Sequence, residues 1–150
     1  MRTPGSGLNV LLVAVGGAIG ASARHGCALL AAASGGGEEA WLLLVNLIGA
    51  FLLGFVFVTL DPQGPRPVDA ERSPGDLDVD PRKDRLGAFV GVGLIGAFTT
   101  YSTLAVLLIE RLRAGDLPEV GAMLFVSLAG GLVMVATGVK VGRWRRASAG

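Results

Sequence analysis

Apolar and polar positions alternate along this chain in long blocks. Four mostly apolar blocks cover residues 8–33, 40–60, 86–109 and 119–139. A helix needs about 20 mostly apolar residues to cross the hydrocarbon core of a bilayer, and each block is long enough. The pattern therefore predicts an all-α integral membrane protein with four transmembrane helices.

The segments between these blocks differ in length and composition. Residues 61–85 are rich in Pro, Asp and Arg and contain few apolar side chains. Such a composition cannot build a packed core and predicts a mobile linker. The connections at 34–39 and 110–118 are short. We therefore expect residues 1–150 to form a single four-helix membrane domain.

Composition supports the membrane class and limits the possible chemistry. Hydrophobic residues make up 51% of the chain, 24 residues are glycine, and the mean hydropathy is +0.61, values unusual for a soluble domain. Four short helices enclose little core, and glycines on membrane helices allow close approach of other helices, so we expect an oligomer. Cys27 is the only cysteine, and no Cys/His cluster or nucleophile–base pair points to a zinc site, a haem or an enzyme.

Basic residues are distributed unevenly about the four predicted helices. Ten of the thirteen Lys and Arg residues lie on the side that holds both termini and the 61–85 linker. The other three are Arg24, Arg111 and Arg113. Because basic residues collect on the cytoplasmic side of membranes, we expect cytoplasmic N- and C-termini and a single orientation. The basic C-terminal end is expected among lipid headgroups, and we expect no nucleic-acid partner.

The third apolar block contains a polar interruption. Residues 93–103 read Gly-Leu-Ile-Gly-Ala-Phe-Thr-Thr-Tyr-Ser-Thr, so two glycines precede a run of hydroxyl side chains. Lipid supplies no hydrogen-bond partners to a backbone that departs from helical geometry. Such a backbone is stable in a membrane only where it contacts protein or lines a water-filled path. The stretch thus favours a helix broken where a polar species binds or passes. The alternative is an intact helix whose glycines pack and whose hydroxyls bond their own backbone.

Few other polar side chains lie within the predicted membrane helices. Asn46 is an amide in the second block, and no Asp or Glu lies mid-membrane, which argues against a proton-coupled cation carrier. Neutral amide and hydroxyl donors, together with the electropositive edge of an aromatic ring, suit a small anion. Asn46 has a second interpretation, as a hydrogen-bonding link between two helices.

Motifs in three successive helices resemble those of the Fluc/CrcB fluoride channels. The first helix contains GGAIGASAR at residues 16–24, the second VNLIGAFLLG at 45–54, and the third GVGLIGAFTTYST at 91–103. With a fourth helix of suitable length, the resemblance spans nearly the whole chain. It implies an antiparallel dimer of four-helix subunits, each with a broken third helix, and two pathways through which fluoride leaves the cell passively.

The resemblance also implies which residues contact ions. The expected residues of the anion pathway are Arg24, Asn46, Tyr101, Ser102, Thr103 and Ser127. Among them, Arg24 is expected to draw anions toward the vestibule of the pathway. The backbone carbonyls of Gly96 and Thr99 are expected to hold a structural sodium ion on the dimer axis, because carbonyl oxygens are hard ligands.

The chain departs from the family pattern at three positions where the family usually has hydroxyl or aromatic side chains along the anion pathway. Leu42, Leu104 and Met123 stand where a threonine, a phenylalanine and a tyrosine are usual. These departures and the one-sided charge favour a heterodimer with a related subunit of opposite orientation over a homodimer. Two other functions stay open: an exporter like the small multidrug-resistance proteins, which needs a carboxylate in the first helix, and a non-conducting partner subunit.

Overall fold

Four long helical spans form the subunit. The computed structural model describes residues 6–35, 37–60 and 80–148, and every regular element in those ranges is helical. The spans Gly7–Ala33, Glu38–Leu60, Pro81–Arg113 and Leu117–Ala147 are long and apolar enough to cross a membrane. The all-α, four-span membrane fold expected from the sequence is thus confirmed.

The spans divide into helices as follows. The first two are single helices, α1 (Ser6–Ala33) and α2 (Glu38–Leu60). The third comprises α3 (Pro81–Leu86), a π-helix (Gly87–Ile95), α4 (Gly96–Phe98) and α5 (Tyr101–Arg113). The fourth comprises α6 (Leu117–Phe125), a π-helix (Val126–Gly130) and α7 (Gly131–Ala147).

The third span begins earlier than the sequence pattern predicts. The composition predicts that residues 81–85 belong to the linker, but they form most of α3. Asp80 caps this helix, because its carboxylate accepts a hydrogen bond from the Arg82 amide at 2.9 Å. Pro81 occupies the first turn, where its missing N–H costs nothing. The rest of the predicted linker, residues 61–79, lies outside the described residues.

The fourth span extends beyond its predicted end at residue 139. Helix α7 continues to Ala147 and carries Arg145 and Arg146 in its last turn. Basic side chains at this end stabilise a helix, because they lie beside its partially negative carbonyl terminus. The window of high hydropathy therefore ends before the helix does.

Helix α1 packs closely on the first half of the third span through glycines. A Cβ atom added at Gly16 would collide with the Phe89 carbonyl oxygen, and one at Gly20 with the Leu94 carbonyl oxygen. From the opposite side, a Cβ at Gly93 would lie 2.8 Å from the Val13 carbonyl oxygen. Small residues thus let the two backbones touch, as is usual between membrane helices.

Helices α2 and α7 form a second close pair. A Cβ at Gly54 would collide with the Val135 carbonyl oxygen, and one at Gly138 with the Phe51 carbonyl oxygen. At the same interface, Gly142 leaves room for the Val58 side chain. Gly16, Gly20 and Gly54, which are among the glycines that predict close helix approach, are therefore used within the subunit.

A charged cluster joins three helix ends near the short connections. Arg111, in the last turn of α5, forms an ion pair with Glu39 in the first turn of α2. It forms a second pair, at 3.3 Å, with Glu119 in the first turn of α6. Acidic groups at helix starts and a basic group at a helix end all complement the helix dipoles.

Candidate functional site

The third span is broken at two residues. Thr99 (φ −79°, ψ 158°) and Thr100 (φ −148°, ψ 121°) have extended backbones, so α4 ends at Phe98 and α5 begins at Tyr101. The broken third helix expected from the sequence is confirmed, and the intact-helix alternative is wrong. The interruption releases backbone groups that an unbroken helix would pair internally.

Asn46 supplies hydrogen bonds to this freed backbone. Its side-chain NH2 donates to the Thr100 carbonyl oxygen at 3.0 Å, and its Oδ1 accepts from the Thr100 amide at 2.9 Å. The two bonds pair the side-chain amide with the main chain of the break, as neighbouring strands pair in a sheet. Helix α2 therefore fixes where the second half of the third span begins.

Thr100 also organises the hydroxyl run that follows it. Its Oγ1 accepts a hydrogen bond from the Thr103 amide at 3.3 Å and so caps the start of α5. The same oxygen lies 3.2 Å from the Ser102 hydroxyl and 3.1 Å from the Thr103 hydroxyl. Thr100 is only 7% exposed. Sequence reasoning did not name Thr100 as a site residue, although a hydroxyl residue just before a helix is a capping signal.

The carbonyls of Gly96 and Thr99 both lose their helical partners at the break. In an unbroken helix they would accept hydrogen bonds from the amides of residues 100 and 103. The Thr100 amide donates to Asn46 instead, and the Thr103 amide to the Thr100 hydroxyl. The Thr99 hydroxyl turns back toward its own helix, 3.1 Å from the Ile95 carbonyl oxygen and 3.3 Å from that of Gly96.

A groove of about 340 Å³ runs along the break. It brings together five of the residues predicted from the sequence, namely Asn46, Gly96, Thr99, Tyr101 and Ser127. Its other lining residues are Gly49, Ala50, Leu53, Gly91, Ile95, Thr100 and Leu104. The groove opens on the outside of the subunit, where Tyr101 is 80% exposed. Ser102 and Thr103 connect to it through Thr100.

Arg24 occupies a different position from the other predicted residues. It is half-buried on α1, and its Nε donates to the Ala97 carbonyl oxygen at 3.2 Å. Ala97 belongs to α4, just before the break. Arg24 is absent from the lining of the groove but contacts the same interrupted backbone.

An apolar cluster adjoins the groove. Leu42, Leu104, Leu107 and Met123 are buried together, with Trp41 and Leu108 packed against them. Leu42, Leu104 and Met123 are the three positions at which the chain departs from the family pattern. Sequence reasoning identified each departure separately but did not place the three side chains in contact.

This architecture defines the chain as a multi-pass membrane protein with a polar site at membrane depth. The defining features are the four spans, the interrupted third helix and the groove with hydroxyl residues at the interruption. The chain belongs to the CrcB family. The family model described as "CrcB-like protein, Camphor Resistance (CrcB)" matches residues 11–139. The family resemblance noted in the sequence is thereby confirmed.

Individual relatives agree with this assignment. The chain is 38% identical over 128 residues to "Fluoride-specific ion channel FluC 2" of Listeria innocua, which covers 85% of each chain. It is 34% identical to "Fluoride-specific ion channel FluC 2" of Leifsonia xyli, over 95% of this chain and 92% of the relative. A third relative of the same name, from Symbiobacterium thermophilum, is 39% identical over 89% of this chain and 97% of its own length.

Proposed function

We propose that this chain is a subunit of a fluoride channel that lets fluoride leave the cell passively. The observation that carries the proposal is the groove at the break, where Asn46, Tyr101 and Ser127 meet. Family membership and the names of the relatives support fluoride as the ion. The exporter alternative lacks support, since no carboxylate occurs in α1.

Asn46 is the proposed central donor to the anion. An amide NH2 has two hydrogens, and the bond to the Thr100 carbonyl uses one of them. The other is available to a dehydrated anion, and the paired bonds to Thr100 hold it in a fixed place. Conduction requires that the anion can leave its site again. A neutral donor allows this, because it binds an anion more weakly than a full positive charge would. The Tyr101 ring edge adds a second electropositive contact.

We further propose that a second subunit covers the groove. Polar residues, among them Asn46, Thr99 and Ser127, line this open groove on the surface of a single subunit, and lipid offers their polar groups no hydrogen bonds. A facing subunit of opposite orientation would enclose them and complete the pathway. The ten-to-three distribution of basic residues supports a fixed orientation with cytoplasmic termini.

The partner we propose is a related but unlike subunit. Leu42, Leu104 and Met123 pack into one apolar cluster beside the groove. Since these three side chains offer no hydroxyl or ring edge to an anion, a copy of the same chain would leave both pathways without these groups. A partner with threonine, phenylalanine and tyrosine at the matching positions would restore them in one pathway.

Fluoride efflux from liposomes tests the channel and the partner together. The purified chain is reconstituted alone and with a co-expressed relative, and chloride efflux is measured as the matched control. We expect fluoride-selective efflux that is strong only with the relative, and a C-terminal topology reporter on the cytoplasmic side alone. Full fluoride efflux from the chain alone would contradict the heterodimer, and no efflux in either sample would contradict the channel.

We also propose a structural sodium ion at the Gly96 and Thr99 carbonyls. The break takes both carbonyls out of the helical hydrogen-bond pattern, and the Gly96 carbonyl keeps only a bond of 3.3 Å from the Thr99 hydroxyl in the described residues. Both residues line the open groove, and carbonyl oxygens are suitable ligands for sodium. When bound, sodium would supply a fixed positive charge between two subunits. In the subunit itself, Asn46 holds the adjoining backbone so that the two carbonyls keep their spacing.

Gly96→Val tests the sodium proposal. Gly96 has an ordinary helical backbone (φ −60°, ψ −37°), and a Cβ there would lie 3.7 Å from the Gly91 carbonyl oxygen. The valine should therefore fold normally and act by filling space beside the carbonyls. We expect a higher sodium concentration for half-maximal flux. Unchanged sodium dependence in the folded variant would count against the site.

A further inference from the structure

Arg24 reaches from α1 across to the carbonyl end of the first half of the third span. We infer that Arg24 is a positioning residue, which holds the break in place through its Nε–H bond to the Ala97 carbonyl. The inference rests on the proposed function only because the break lines the proposed pathway. It differs from the role expected from the sequence, in which the charge of Arg24 attracts anions.

The hydrogen bond replaces one that the break removes. In an unbroken helix the Ala97 carbonyl would accept from the amide of residue 101. Tyr101 begins α5 beyond two extended residues, so its amide belongs to the next helix. The Arg24 Nε takes its place at 3.2 Å. A guanidinium is also well suited to this end of a helix, where unpaired carbonyls carry partial negative charge.

The glycines of α1 bring Arg24 into reach. A Cβ at Gly20 would collide with the Leu94 carbonyl oxygen, and one at Gly17 would lie 3.9 Å from the Ala97 Cβ. Arg24 follows Gly20 by one helical turn, so it lies on the same face of α1. The segment from Gly17 to Arg24 therefore acts as a unit. Its glycines set the distance between α1 and the third span, and Arg24 makes the hydrogen bond to the Ala97 carbonyl.

The break is consequently held from two sides. Arg24 on α1 bonds the Ala97 carbonyl, which ends the first half of the third span. Asn46 on α2 bonds both backbone groups of Thr100, where the second half begins. Only residues 98 and 99 lie between these two attachments. Loss of either one should let the freed carbonyls move.

Three substitutions separate positioning from charge. Arg24→Gln places an NH2 nitrogen at the same bond distance from the backbone as Nε, because both nitrogens are attached to Cδ, and it removes the charge. Arg24→Lys keeps the charge and puts a methylene at that place. Arg24→Met has similar length and provides neither the donor nor the charge. Arg113→Gln, on the same predicted side of the membrane, controls for loss of a positive charge.

The variants are compared as the full chain, with its partner subunit where one is needed. Two measurements are made: fluoride efflux at low and high ionic strength, and amide hydrogen exchange at residues 99–103. We expect Arg113→Gln to match the wild type in both. Arg24→Gln should stay closer to the wild type than the other two Arg24 variants, because it keeps a donor at the right place and loses only the charge. Arg24→Met and Arg24→Lys should exchange about tenfold faster at the break, as expected for a lost hydrogen bond to a charged donor. Their efflux should fall correspondingly at both ionic strengths.

The opposite order would overturn the inference. If Arg24→Lys matches the wild type while Arg24→Gln and Arg24→Met lose efflux equally, and mainly at low ionic strength, Arg24 acts by attracting anions. Wild-type behaviour of all three variants would also reject the positioning role. If Arg24→Met does not fold, the comparison of Gln with Lys still decides. If the wild type conducts no fluoride, the proposed function fails, and hydrogen exchange still tests Arg24.

Discussion

The break and the apolar cluster are built by the same pair of helical segments, one turn apart. On α2, Leu42 belongs to the cluster, and Asn46, four residues later, bonds the break. In the third span, Thr100 is the bonded residue, and Leu104, four residues later, belongs to the cluster. Residues four apart share a helix face, so a hydrogen-bonded contact and a dry contact lie next to each other.

The difference between them follows the state of the backbone. Where α5 is intact, its own hydrogen bonds satisfy the main chain, and Leu104 contacts other helices through carbon atoms alone. Where the third span is interrupted, the main chain needs partners, and the polar side chains Asn46 and Arg24 supply them. These two polar side chains thus lie at the interruption of the backbone, where hydrogen-bond partners are needed. An ion pathway that uses them must therefore pass the interruption.

The largest effect is expected from Asn46→Leu. The leucine removes both bonds to Thr100 and the amide hydrogen proposed for fluoride, so fluoride efflux should be abolished. Dimer assembly should remain largely intact, because leucine is apolar and similar in size to asparagine. Efflux from liposomes and cross-linking in the membrane measure the two properties.

Thr59→Val is the matched control for Asn46→Leu. It also replaces a polar residue of α2, but the Thr59 hydroxyl donates to the Phe55 carbonyl of its own helix, at 2.7 Å. We expect wild-type efflux from this variant. Normal efflux from a folded Asn46→Leu protein would remove Asn46 from the pathway and leave it as a link between helices.

A smaller effect on efflux is expected from Gly49→Ala. A Cβ at Gly49 would collide with the Thr99 Cγ2, so the methyl group should displace the break and reduce efflux by about tenfold. Thr99→Ser removes that Cγ2 and keeps the hydroxyl, so the double variant should recover. Gly121→Ala, where a Cβ would meet nothing within 4 Å, should be silent. A double variant as impaired as Gly49→Ala would refute the steric explanation.

The smallest effect on efflux is expected within the apolar cluster. Leu107→Ala should leave efflux unchanged while it lowers the free energy of unfolding by about 2 kcal/mol, because it opens a cavity among packed side chains. Leu112→Ala, on the same helix but 53% exposed, should change neither property. Thermal unfolding and efflux are measured in parallel. Leu104 of the cluster already lines the groove. A large loss of efflux at Leu107 would mean that the pathway extends past Leu104 into the rest of the cluster.

Several features of the site could be predicted from residue types. The glycines and hydroxyls of residues 93–103 favour the interruption, because lipid supplies no hydrogen-bond partners to a loosened backbone. They do not decide it, since hydroxyls bonded to their own helix fit the same residues. The amide of Asn46 could be identified as an unusual group in an apolar helix. The partner of Asn46 could not be predicted. Thr100 bonds the Asn46 side chain through its backbone N–H and C=O groups, which carry no signature in the sequence.

The contact between Arg24 and Ala97 was missed for the same reason. The Ala97 carbonyl bonded by Arg24 has no signature in the sequence, so only the three-dimensional structure reveals the contact. The cluster of Leu42, Leu104 and Met123 needs three helices to meet. Helix α3 is different, because Asp80 and Pro81 form a recognisable helix start. There the polar composition of the surrounding segment obscured a local signal.

The π-helix at Gly87–Ile95 has a consequence for how the family varies in sequence. Hydrogen bonds from residue i to i+5 place an additional residue in each turn, so a helix can gain or lose a residue there by changing between π and α geometry. Single-residue insertions should therefore be tolerated in this stretch. In α2 an inserted residue would rotate Asn46 by about 100° away from Thr100. Length differences among relatives should accordingly collect before the break and be absent between Leu42 and Gly49.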